Sequence, residues 1–155
     1  MTSPAQQLLR KVADLKYIHT KGDETYQLER KKVTRLPLYT KPINENVNTR
    51  FGRLDINELL IKNPEDTFLI KVTGNSMIKA GINTGDILVV DRSLEAVNGN
   101  IVVATINDEL LVKRLRENEE GTELCSENEN FPNIKISQDD KFNIWGVVKS
   151  VIKSI

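Results

Sequence analysis

The chain has 155 residues, 39% hydrophobic and 28% charged, with 22 basic residues matched by 22 acidic ones. That balance suits one soluble globular core with length to spare for an arm, and nothing in it suggests a broad cationic surface for nucleic acid. One cysteine, Cys125, and one histidine, His19, exclude an internal disulfide and leave too few ligands for a usual zinc site.

Residues 1–50 carry little core or strand signal apart from one stretch. Ser3-Pro4 reads as a helix cap and first position, and Leu8, Leu9, Val12 and Leu15 follow at helical spacing, which predicts a helix over Pro4–Leu15. From Lys21 to Asn48 the sequence is polar and broken by Pro37 and Pro42, as in an extended arm or linker. Its one basic cluster, Arg30-Lys31-Lys32 with Arg35, reads as a solvated segment. The first residues lack the apolar core of a signal peptide, and no apolar run is long enough to cross a bilayer, so a cytoplasmic protein without a membrane partner is expected.

From Leu54 the pattern changes, placing the expected boundary at 1–50 for the arm and 51–155 for the folded domain. Asp55–Ile61 reads as a short capped helix stopped by Asn63-Pro64. Apolar runs rich in β-branched residues then recur at Thr67–Val72, Asp86–Val90, Asn100–Ile106 and Glu109–Leu115. Between the last two, Ile106-Asn107-Asp108-Glu109 is a tight hairpin signal. Thr122–Cys125, Asn133–Ile136 and Phe142–Ile152 complete the series. Short strands at this spacing predict a mainly β fold, a curled antiparallel β domain behind a helical and extended N-terminal arm.

The usual nucleophilic sets are missing. A Ser-His-Asp triad needs an imidazole, and His19 lies in the polar arm, detached from any core strand. Cys125 has only that same histidine to call on, and a lone cysteine in a strand is most often a small core residue. Phosphate-binding glycine loops are absent, and no cofactor or metal is indicated. A serine with a lysine remains. Lysine acts as a base only when neutral, so it must sit among apolar neighbours that disfavour its ammonium. Lys113 lies in Leu110-Leu111-Val112-Lys113-Arg114-Leu115, and strand alternation puts it on the face of Leu111 and Leu115, with Arg114 directed oppositely to solvent. Ser76 lies in the turn Gly74-Asn75-Ser76-Met77. Taken singly, Lys113 could be a strand-edge lysine and Ser76 an ordinary turn residue.

The wider pattern resembles a known family. Val72-Thr73-Gly74-Asn75-Ser76-Met77-Ile78, then Gly81 to Asp91 with its Gly85-Asp86 pair and apolar strand, resembles the nucleophile segment of the LexA/UmuD peptidases. Asn98–Ala104, Glu109–Leu115 and Phe142–Val148, which ends in an apolar-Gly-Val-Val pattern, resemble the strands that follow in that family, in the same order. The closer resemblance is to UmuD, through Arg53–Pro64 and through Pro37-Leu38-Tyr39. The related signal-peptidase class shares the Ser-Lys chemistry but needs a membrane anchor.

The resemblance implies that Ser76 is a nucleophile and Lys113 its general base, with the backbone N–H groups of Ser76 and Met77 holding the oxyanion. It implies a self-cleaving serine endopeptidase of the SOS DNA-damage response, a homodimer stimulated by a RecA–DNA filament, whose shortened form joins a UmuC-type error-prone polymerase in translesion synthesis. About 50 residues of mainly polar arm are too few for the winged-helix domain of a repressor, so strong direct DNA binding is not expected. In two respects the sequence departs from the family, one being the extra N-terminal helix expected over Pro4–Leu15. The usual Ala-Gly or Cys-Gly cleavage pair is missing from the arm, and the nearest Xaa-Gly candidate is Phe51-Gly52. A non-cleaving dimeric regulatory protein is therefore the alternative.

Overall fold

The structure, a computed structural model, describes residues 35–39 and 50–155. The Pro4–Leu15 helix, His19 and the Arg30–Lys32 cluster lie outside the described residues. The chain divides into two compact units, one within His19–Lys62 and the other containing Asn63–Ile155.

In the first unit, β1 (Arg35–Tyr39) and β2 (Arg50–Asp55) pair antiparallel, with Leu36 opposite Leu54 and an irregularity between Pro37 and Tyr39. A proline cannot donate to a ladder, so a break beside Pro37 is where the pairing is expected to slip. The candidate bond Phe51-Gly52 lies inside β2. Helix α1 (Ile56–Leu60) follows at once, capped by Asp55, whose side chain accepts from the N–H of Asn57 at 2.8 Å.

The second unit is one seven-stranded, wholly antiparallel sheet. Its strands are β3 (Thr67–Lys71), β4 (Ile87–Asp91), β5 (Ile101–Ile106), β6 (Glu109–Asn118), β7 (Gly121–Cys125), β8 (Ile134–Lys135) and β9 (Phe142–Ile152). They lie in the order β3-β4-β9-β5-β6-β7-β8, so the last strand inserts between β4 and β5. The fold is mainly β, as the sequence indicates. Each apolar run of the sequence occupies a strand, and Phe142–Ile152 does so residue for residue. The β5–β6 hairpin pairs Ile106 with Glu109 and turns on Asn107 and Asp108, both at positive φ (49° and 70°). This is the turn geometry that Asn and Asp tolerate best among residues with a Cβ.

The sheet carries two apolar clusters. Phe68, Ile70, Val72, Met77, Ile82, Leu88, Val90, Val103 and Trp145 form one; Val102, Ala104, Leu115 and Leu124 form the other. Val102 and Val103 are neighbours in β5 yet belong to different clusters, which is strand alternation feeding both faces. Trp145 donates its indole N–H to Thr105 Oγ1 at 3.1 Å, so the largest side chain of the first cluster is buried without an unpaired polar group. At Gly146 the chain passes so close to β4 that a Cβ would meet the carbonyl oxygen of Asp91 at 2.8 Å.

Candidate active site

Ser76 stands on the connection between β3 and β4, and Lys113 near the middle of β6. Both line one cavity of about 140 Å³, walled by Ile70, Val72, Met77, Ile82, Leu110 and Val112. Long-range folding thus brings together the two residues singled out from the sequence.

Lys113 is 5% exposed, on an interior strand, opposite Val102 of β5. A strand-edge lysine reaching for water would be far more exposed, so that reading of Lys113 is set aside. Burial among apolar side chains pushes its amino group below the ordinary lysine value, and the Glu109 carboxylate on the same strand opposes the shift. Among the described residues no carboxylate forms an ion pair with Lys113. The nearest π face is Phe131, whose ring centroid is 5.7 Å from Nζ.

The turn that carries Ser76 is held by side chains from the β4 end of the connection. Thr84 Oγ1 donates to the carbonyl of Gly74 at 2.9 Å and accepts from its N–H at 3.0 Å. Gly74 sits at φ 106°, a conformation costly for any residue with a Cβ, so the turn needs glycine there. Asp86 fixes the return: its carboxylate accepts from the N–H of Asn83 at 2.7 Å and pairs with Lys153. These two contacts, the backbone bond first, hold the Asp86 carboxyl below the usual carboxylate range. Ser76 itself is half-buried. Its N–H and that of Met77 are not engaged by another group of the described residues, and the Met77 carbonyl is taken by Ala80 and Ile82. Two adjacent donors at the nucleophile are what a developing oxyanion requires.

A third support comes from the loop between β7 and β8, whose sequence carries no functional motif. Glu127 donates its N–H to the carbonyl of Ser76 at 2.8 Å. Asn128 Nδ2 donates to the carbonyl of Asn75, also at 2.8 Å. The Glu127 carboxylate is paired with Arg114, which also donates to the carbonyl of Gly99 at 2.7 Å. Arg114 is therefore not the free solvated side chain expected from alternation alone; it does point away from Lys113, but into a partner. The loop reads locally as a polar run, Ser126-Glu127-Asn128-Glu129-Asn130, with no periodicity to betray partners some fifty residues away.

Cys125 is buried, and burial, with the nearby Glu123 carboxylate, pushes its thiol up, away from a reactive thiolate. Among the described residues no group of three or more His, Cys, Asp or Glu side chains is placed to hold a metal ion, and no helix is long and apolar enough to cross a membrane.

Comparison with known proteins gives the family. The profile of the family described as Peptidase S24-like matches residues 40–149. The LexA repressor of Delftia acidovorans is 44% identical over 87 residues, covering 56% of this chain and 39% of that protein. The LexA repressors of Bordetella avium and Cupriavidus taiwanensis are 44% and 42% identical over 87 residues, covering 41% and 40% of their own lengths. The chain spans about two fifths of the length of these relatives. The family match runs over most of the sequence and takes in every strand that frames the cavity; the protein belongs to the Peptidase S24-like family.

Proposed function

We propose that the protein is a serine endopeptidase working by a Ser76–Lys113 dyad, and that its substrate is a peptide bond in its own N-terminal region. The observation that carries this is the shared cavity, lined by a half-buried serine and by a lysine whose ammonium form is disfavoured by burial. Neutral Lys113 takes the hydroxyl proton as Ser76 Oγ attacks the carbonyl carbon. The N–H groups of Ser76 and Met77 receive the oxyanion; on collapse the C–N bond breaks and Lys113 returns the proton to the departing amine. Water, activated by the same amine, then hydrolyses the ester. A tethered substrate raises the effective concentration, so a modest catalytic centre suffices.

The biological setting we infer is the SOS DNA-damage response, with a homodimer and a RecA–DNA filament as partners. Relatives named as LexA repressors support a regulatory role in that response. The finer reading, a UmuD-like accessory subunit of a UmuC-type polymerase in translesion synthesis, rests on Arg53–Pro64 and Pro37-Leu38-Tyr39 alone. The alternative of a non-cleaving regulatory dimer draws on the missing Ala-Gly or Cys-Gly pair and on the placing of Phe51-Gly52 inside a paired strand. Both readings are separated by intact-mass measurement after long incubation at alkaline pH, with and without activated RecA filament. Fragments formed by the native protein and not by Ser76→Ala establish self-cleavage, and their masses name the bond. Without such fragments the regulatory reading replaces it.

A further inference from the structure

The β7–β8 loop touches both members of the dyad. Through Glu127 N–H and Asn128 Nδ2 it holds the carbonyls of Ser76 and Asn75. Three positions on, Phe131 lies over Lys113 Nζ with its centroid 5.7 Å away. The loop is fixed in this pose from several sides. Phe131 N–H donates to the carbonyl of Asn128 at 3.1 Å, Asn130 N–H to Asn128 Oδ1 at 3.0 Å, and Ser126 N–H to Asn133 Oδ1 at 3.0 Å. Lys79, just after the nucleophile, closes the outer side by pairing with Glu129 and donating its N–H to the Glu127 carbonyl. Phe131 is itself 40% exposed, so one side of the ring faces solvent while Lys113 Nζ lies over its face. What lies beneath is the one buried amino group of the site.

We propose that Phe131 is a positioning residue, a cover that holds the Lys113 amino group towards the Ser76 cavity and away from bulk water. The inference rests on the reading of Lys113 as general base. Two effects of the ring oppose each other. Its bulk excludes water, which disfavours the ammonium; its π face attracts the ammonium. Burial is the dominant influence on Lys113, so exclusion of water is the larger effect. The charged groups around Lys113 are few: Glu109 on its own strand, Lys71 at the cavity wall on β3, and on the loop Glu127 and Glu129, each neutralised by its own partner, Arg114 and Lys79. None of them is removed by a change at position 131.

The test titrates Lys113 itself, by the NMR shifts of its labelled side-chain carbon and nitrogen next to the amine, assigned with Lys113→Arg. Native protein, Phe131→Ala and Phe131→Leu are compared, and their amide spectra report whether the fold is kept. Phe131→Ala admits water and raises the Lys113 midpoint by about one pH unit, which lowers the neutral fraction about tenfold at any pH well below it. Phe131→Leu keeps an apolar cover without a π face and leaves the midpoint at or below the native one. An unchanged midpoint in Phe131→Ala, or a rise that leucine does not rescue, overturns the proposal while Lys113 still titrates below an ordinary lysine. If Lys113 in the native protein titrates as an ordinary lysine, the dyad reading falls, and with it the cover.

Discussion

The side chain of Asn128 donates to the carbonyl of Asn75 at 2.8 Å, tying the turn before the nucleophile to a loop 53 positions further along the chain. Asn128 is buried, and its Oδ1 is used as well, by the N–H of Asn130. Asn128→Ala therefore strands a carbonyl and loosens the loop. It is expected to cost about 1–3 kcal/mol in chemical denaturation. The same change displaces Ser76, so cleavage should slow by about tenfold or more. Full activity in a folded Asn128→Ala protein would show that the turn holds its geometry unaided.

What the sequence made legible, and what it did not, divides along the same line. Alternation placed Lys113 on the face of Leu111 and Leu115, and the strand runs were legible because each is a local, period-two signal with polar breaks on either side. Asp55 as a cap and Asn107-Asp108 as a turn are equally local. The contacts that complete the site are not: Glu127 to Ser76, Asn128 to Asn75 and Arg114 to Glu127 join segments that nothing in their own composition relates. β1 and β2 were hidden for another reason. Pro37 and Gly52 lower the strand signal of two short segments that pair with each other.

Lys113 costs the fold stability at neutral pH while serving the proposed activity. Its amine is depressed in the folded state by burial, so between that depressed value and the ordinary one the unfolded chain binds more protons. Stability accordingly rises with pH through this window, and below it the buried ammonium is a constant penalty. Lys113→Met removes the penalty. It should stabilise the protein at pH 7, because burial depresses the amine and the folded state carries that penalty as long as the ammonium persists. The gain should fade as the pH approaches that of an ordinary lysine, while cleavage is lost throughout. Thermal or denaturant melts from pH 7 to 10.5 check this, and a variant less stable than the native protein at pH 7 contradicts it.

Cleavage in the native protein should follow the neutral form of the same amine. Well below its midpoint the rate is expected to rise about tenfold per pH unit and then level off. The plateau should begin below the titration of an ordinary lysine, because burial is the dominant influence on Lys113. A rate that keeps climbing past pH 10.5 would point to hydroxide instead of the lysine as the base.

Asp86 acts at the other end of the pH scale. Its carboxyl is depressed, first by the N–H of Asn83 and then by Lys153, so its contribution is complete above the unfolded value of 3.8. That contribution is lost as the pH falls through the lower, folded value. Asp86→Asn should flatten the acid limb of the stability curve, with its loss visible above pH 4 and shrinking below it. Equal slopes below pH 4 in both proteins would show that the pairing adds nothing.

The close approach at Gly146 sets a steric limit on the insertion of β9. A Cβ there meets the Asp91 carbonyl oxygen and Val90 Cγ1, each at 2.8 Å. Val90 could turn, but the Asp91 oxygen belongs to the last residue of β4, paired with Thr67 on one side and Val147 on the other, and cannot retreat without disturbing that pairing. β4 and β9 already shift register between Val89 and Val90, so the place where they could give way is beside the clash. Gly146→Ala should cost about 1–3 kcal/mol, the usual range for overpacking a tight interior. Because β4 follows directly on the nucleophile connection, the amide spectrum of the variant should shift at Ser76 and Asp86 as well as at Val90. A variant with native stability and unshifted Val90 amides would mean that the two strands are further apart than they stand here.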